Sequence, residues 1–140
     1  MLIERVKVVI DTNIIISAFI SPFGASAQIF ELFLQGYIIN YTSEEIIQEL
    51  ERVIYRQKFI GCIETHDKQF MIDNFRSLSL VIVPIAKEKV IKDDSDDDKI
   101  VNCALTAGAA IITGDKHLLD LKSFSNVSIL SPREFLERLK

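Results

Sequence analysis

One stretch constrains the fold more than any other: Val6-Lys7-Val8-Val9-Ile10, followed at once by Asp11-Thr12-Asn13. Its first five residues are apolar except for Lys7, and three of them are Val, the pattern of a short strand buried on both faces. The run then ends in a carboxylate. A charge there is costly unless something at the strand's mouth compensates it, and in open α/β sheets that mouth is where ligands bind. Asp11 is thereby the first candidate functional residue.

The rest of the chain alternates between helical and strand patterns. A helix is expected from Ile14 to Ile20, stopped by Ser21-Pro22-Phe23-Gly24, and a second carries Ile29, Phe30, Leu32 and Phe33 before closing at Gly36. A strand follows at Tyr37 to Tyr41. Thr42 and Glu45 form a T-x-x-E capping box for a helix reaching Gln57, with Ile46, Ile47, Leu50, Val53 and Ile54 as its apolar stripe and Glu49 beside that stripe. Glu64 to Ser77 forms a further helix with Phe70, Met71, Ile72 and Phe75 as candidate inward groups, and Leu80 to Pro84 a third strand. A charged connector, Lys87 to Asp94, leads to a helix from Asp96-Asp97-Asp98 to Gly108. Ala109 to Thr113 is a fourth strand, Asn126 to Leu130 a weak fifth, and Pro132 opens a last helix through Leu139. Such alternation implies one α/β domain over residues 1–140, with a central, mostly parallel sheet of four to five strands and helices on both faces. Function should lie at the sheet's carboxyl edge.

Composition narrows the class. With 140 residues, 49% apolar and 26% charged, the chain suits a single globular domain. A formal net charge of -4 gives no bulk attraction to nucleic acid. A divalent cation among clustered acids would invert the local field and remove that objection. Cys62 and Cys103 have no partner spacing for zinc or a disulfide framework and are expected to be reduced thiols. No apolar run reaches the ~20 residues of a spanning helix, so a soluble, cytoplasmic protein without membrane association is expected.

Four acids stand out by position. Asp11 and Asp115 each follow an apolar strand, and in a parallel sheet both strand ends point to one edge. At about 100° per residue, Asp97 heads the stripe formed by Ile100, Val101, Ala104 and Gly108, while Asp96 and Asp98 are expected to face water. Glu49 looks along the rim. Four carboxylates brought together repel unless Mg²⁺ or Mn²⁺ lies among them, and oxygen-only ligands suit those hard ions. The chemistry that follows is metal-assisted phosphodiester hydrolysis. Thr12, Asn13 and Thr113 are candidates to orient the carboxylates or a water, and Arg52, Arg56 and Lys116, with His117, to meet a phosphate backbone. Each has a plainer role: Asp11, Asp97 and Asp115 as helix caps, Glu49 as a surface acid beside Arg52, the cations as solvated surface. His66 reads as an ordinary surface histidine, and Phe19, Phe23, Phe30 and Phe33 as core or dimer contacts.

Together these residues resemble a PIN domain. Val9-Ile10-Asp11-Thr12-Asn13, Glu49-Leu50, Asp94-Ser95-Asp96-Asp97-Asp98-Lys99 with Ala104-Leu105, and Ile112-Thr113-Gly114-Asp115-Lys116-His117-Leu118-Leu119 resemble the family's four acidic motifs in order. The resemblance implies a three-layer α/β/α sandwich and a Mg²⁺- or Mn²⁺-dependent ribonuclease acting on single-stranded RNA. It further implies the toxin of a toxin-antitoxin pair, similar to VapC ribonucleases, commonly a homodimer with a small antitoxin protein as partner. The third acid is open between Asp97 and Asp98; a spacing of 18 to Asp115 favours Asp97. Two other classes compete. A non-catalytic PIN-like binding module would use the acids for a structural ion or a basic peptide. An aspartyl-phosphate signalling domain also places Asp at a strand end, but Asp11-Thr12-Asn13 lacks its second acid two places on.

Overall fold

The computed structural model describes residues 5–56, 59, 61–85 and 95–139, with backbone only at 95 and 96. The expected connector Lys87 to Asp94 and the end of the third helix at Gln57 lie outside the described residues. In chain order the elements are β1 (Val6–Ile10), α1 (Thr12–Ile20), α2 (Ala25–Leu34), β2 (Ile38–Thr42), α3 (Glu44–Ile54), α4 (Thr65–Leu78), β3 (Leu80–Val81), α5 (Ser95–Ala107), β4 (Ala110–Ile112), α6 (Lys116–Leu121), β5 (Ser123–Phe124), β6 (Val127–Leu130) and α7 (Pro132–Leu139).

The strands form one six-stranded sheet in the order β3-β2-β1-β4-β6-β5, parallel except for β5 against β6. The chain steps outward from β1 to β2 and β3, then returns across the sheet to β4 on the other side of β1. Direction therefore reverses between β1 and β4, and right-handed crossovers place the helices of the two runs on opposite faces. Helix α5 packs across β1, β2 and β4, while α2 packs on β2 with α1 and α7. Val8, Val9 and Ile10, wholly buried, meet Ile111 and Ile112 at the centre, as expected of a strand covered on both sides. The inward stripe of α3, Ile46, Ile47, Leu50 and Ile54, is also fully buried.

Local chemistry moves several expected boundaries. Helix α3 is capped by Ser43, whose hydroxyl accepts from the Ile46 amide at 3.4 Å, and not by Thr42, because β2 runs one residue further and takes Thr42 into the sheet. Strand β3 is shorter than expected: Leu80 and Val81 pair with β2, one more bond runs from Ile82 N to Thr42 O at 2.9 Å, and Pro84 cannot donate to a ladder. The sheet has one strand more than expected, because Ser125 and Asn126 both take positive φ, 46° and 69°, and fold Ser123–Phe124 back on β6 in a two-residue hairpin. Gly108, at φ 67°, ends α5, and its amide donates to Ala104 O at 2.8 Å. Phe70 is 47% and Phe23 97% exposed, so neither is a core group. Lys68 takes the inward place on α4 instead, with Met71, Ile72 and Phe75. Among the described residues no single helix is long and apolar enough to cross a membrane.

One buried polar group ties the sheet together beside the end of β1. Asn40, 1% exposed on β2, accepts from the Ile10 amide at 2.8 Å through Oδ1 and donates to Ser79 Oγ at 2.9 Å through Nδ2. It thus holds the Val9–Ile10 peptide, one residue before the peptide that leads into Asp11. Replacing it leaves a buried N–H without an acceptor. Asn40→Ala is expected to lower stability by about 1–3 kcal/mol, readable as a fall in Tm of about 4 °C per kcal/mol on thermal denaturation.

Candidate active site

The register of β1 against β4 explains why residues remote in sequence meet. Ile10 lies opposite Ile112, so the next residues, Asp11 and Thr113, emerge side by side at the carboxyl edge where the strand order reverses. The Asp11 amide still donates to Ile112 O at 2.9 Å, holding the two strands together one residue past the ladder. Thr113 Oγ1 then donates to Asp11 Oδ2 at 2.7 Å and accepts from the Asp115 amide at 3.0 Å. One hydroxyl links the two strand-end acids.

Both acids also cap helices. Asp11 Oδ1 accepts from the Asn13 amide at 3.4 Å at the start of α1, and Asp115 Oδ1 accepts from the His117 amide at 2.8 Å at the start of α6. The plain and the functional readings are therefore compatible. Each carboxylate oxygen has more than one lone pair, and capping uses one.

The remaining acids come from helices. A cleft of about 440 Å³ is lined by Asp11, Glu49, Asp97 and Asp115, with Thr12 and Asn13 beside them. All four expected acids thus open onto one space, drawn from β1, α3, α5 and the β4–α6 connection. Arg56 lines it too, whereas Arg52 and Lys116 are exposed and do not. Asp98, expected to face water, is 9% exposed against 6% for Asp97; only Asp97 lines the cleft. Residue patterns had not assigned Ile16, Ser17, Ile20 or Phe59 to the site, and had placed Val53 only in the apolar stripe of α3; all five line the cleft. Asn13, Ile16, Ser17 and Ile20 recur at helical spacing and form one face of α1, a signal hidden by the almost uniform hydrophobicity of that helix.

The electrostatics are unfavourable as they stand. Burial pushes the Asp11 carboxyl above its ordinary value, and the negative charge of Asp115 pushes the same way; the hydrogen bonds from Thr113 and Asn13 oppose this. Among the described residues, four carboxylates and one guanidinium line the cleft. In addition, Asp97 Oδ2 is a buried oxygen that receives no hydrogen bond, although the residue has other interactions. An all-oxygen, acidic donor set of this kind fits a hard divalent cation. Away from the cleft, Glu64, His66 and Asp67 bring three donor atoms within 4.8 Å of one another on the surface at the start of α4.

Fold and cleft together define an α/β/α protein with an acidic centre at the switch point of a mostly parallel sheet. The chain belongs to the PIN domain family, whose sequence profile matches residues 7–117. An uncharacterised protein of Methanocaldococcus jannaschii is 34% identical over 145 residues, covering 97% of this chain and 93% of that protein. Among solved structures, the crystal structure of VapBC2 from Rickettsia felis bound to a DNA fragment from its promoter matches with a TM-score of 0.59 at 18% identity, covering 89% of this chain and 98% of the matched chain. That likeness is one of fold.

The buried charge has a thermodynamic signature. Because the folded pKa of Asp11 lies above its ordinary 3.8, the folded state holds the extra proton between those two values. Stability of the metal-free protein therefore falls as pH rises through that window and stays lower above it. Asp11→Asn removes the loss. In EDTA at neutral pH this variant is expected to melt higher than the unsubstituted protein, by about 4 °C for each ~1 kcal/mol relieved, with the gap narrowing as pH approaches 3.8. A lower Tm for the variant at every pH would show that Asp11 is not destabilised by its surroundings.

Proposed function

We propose that this chain is a Mg²⁺- or Mn²⁺-dependent endoribonuclease of single-stranded RNA, acting in the cytoplasm as the toxin of a toxin-antitoxin pair. The observation that carries the reading is the opening of Asp11, Glu49, Asp97 and Asp115 onto one cleft at the switch point. These four carboxylates are the residues that would hold the cation. When bound, it supplies a Lewis acid for a phosphoryl oxygen and a water acidified enough to act as nucleophile.

The chain's own groups do the rest. Thr113 fixes the rotation of the Asp11 carboxylate through Oδ2 and ties it to the Asp115 backbone. Asn40 holds the Val9–Ile10 peptide at the end of the strand that leads into Asp11. Arg56 offers the cleft's cation to a phosphodiester. Attack by water on phosphorus, with the P–O3′ bond breaking and the proton passing to the departing oxygen, leaves 5′-phosphate and 3′-hydroxyl ends. A small antitoxin as partner is supported by the fold shared with the Rickettsia felis complex, and a homodimer by the family resemblance.

A second reading has one observation in its favour. Because Asp11 and Asp115 both serve as helix caps, a binding module that uses the acids without turnover is the alternative. Metal titration of RNA cleavage by purified protein separates the two. Cleavage that requires Mg²⁺ or Mn²⁺, with Asp11→Asn and Asp97→Asn each lowering it by roughly 10²-fold or more, is expected of the nuclease. RNA binding that ignores metal, without turnover, is the binding module's result.

Thr113→Val keeps shape while removing the hydroxyl from Asp11 Oδ2 and the Asp115 amide. It is expected to weaken Mn²⁺ affinity about 10–100-fold, measured by calorimetry, without loss of the fold. Unchanged affinity would confine Thr113 to a packing role.

A further inference from the structure

Helix α4 opens with a buried cation on its inward row and two carboxylates turned towards solvent. Its inward row is Lys68, Met71, Ile72 and Phe75, so a lysine heads a stripe that is otherwise apolar. Lys68 is 5% exposed, and its Nζ lies 5.3 Å from the centre of the Tyr55 ring. A ring face attracts an ammonium but occupies few of its three N–H donors. No salt bridge reaches this lysine among the described residues.

The helix dipole adds to the sign of Lys68, and the two carboxylates at this end offset it from the solvent side. Glu64 is the N-cap, yet its side chain makes no capping bond. Its carboxylate lies 3.2 Å from His66 Nδ1 and is 75% exposed, while Asp67 lies 3.4 Å from the other ring nitrogen. Both acids are turned outward onto the imidazole. The amides of Thr65, His66 and Asp67 are left without an acceptor among the described residues. A cation one turn from the amino end sits at the unfavourable pole of the helix, and an anion between the two would satisfy both.

These groups share a pocket of about 470 Å³ lined by Tyr55, Gly61, Ile63, Glu64, Thr65 and Lys68. It is distinct from the acidic cleft, whose lining includes Val53, Arg56 and Phe59, near in sequence to Tyr55 and Gly61. We propose that this second pocket binds a phosphate group, held by Lys68 Nζ, the Thr65 hydroxyl and the amides that open α4. The phosphate is either free or one link of a strand leaving the cleft past Arg56; the latter source rests on the nuclease reading, the former does not.

The test uses the ¹⁵N-labelled full chain in EDTA, titrated first with inorganic phosphate and then with a single-stranded RNA of several nucleotides. Saturable shifts of the amides of residues 65–67 are expected with phosphate, lost in Lys68→Gln and kept in Lys68→Arg. For the strand, Lys68→Gln is expected to weaken binding about tenfold and to flatten the log–log salt dependence by about 0.7. No saturable shift with either probe, a result that needs no variant to fold, overturns the pocket, as do unchanged shifts in Lys68→Gln. Phosphate shifts with unaltered RNA affinity in Lys68→Gln assign the site to free phosphate and overturn the strand. If the unsubstituted protein, supplied with Mg²⁺ or Mn²⁺ in a parallel sample, neither binds nor cuts RNA while the phosphate shifts in EDTA persist, the nuclease reading fails and the pocket stands.

Discussion

The Asp11 carboxylate, 7% exposed at the end of the central strand, is the constraint around which the rest of the structure is arranged. A charge in that place loses its water and gains only partial compensation, from one hydroxyl and one long amide contact. Folding must tolerate it. The tolerance comes from the wholly buried β1 and its two flanking parallel strands, whose apolar burial outweighs a single unfavourable ionisation. A site that is uncomfortable when empty of counter-charge gains most from acquiring one.

Sheet topology turns this local strain into a site. Because the chain leaves β1 on one side and returns on the other, the carboxyl ends of β1 and β4 have no crossover helix between them. Acids from α3 and α5, helices that contact one another, complete the rim. The relay from Asp11 through Thr113 to the Asp115 backbone keeps the two strand ends in fixed relation, so a shift at either is felt at both.

Much of this was legible in residue order. The both-faces-buried strand, the acids at strand ends and the phase of Asp97 on its helix all depend on local pattern, and local pattern survived folding. What was not legible depended on the third dimension or on small margins. Thr42 and Ser43 are both good caps, and only the length of β2 decides between them. The burial of Asp98 follows from neighbours that no helical wheel contains. The hairpin at Ser125-Asn126 lacks glycine, so its positive φ values had no strong marker. Lys68 on an inward row contradicts the pattern outright, and a phase argument cannot anticipate it.

The two margins of the sheet are finished differently. One is closed by the short antiparallel return of β5 on β6. The other is the two-residue β3, continued by an extended segment in which Leu80, Val81, Val83 and Ile85 are 50%, 42%, 85% and 83% exposed. An open ladder with greasy flanks is the place where a stray chain adds on, and Pro84 and the brevity of β3 are the features that discourage it. Changes to Pro84 are therefore expected to bear on solubility before they bear on chemistry.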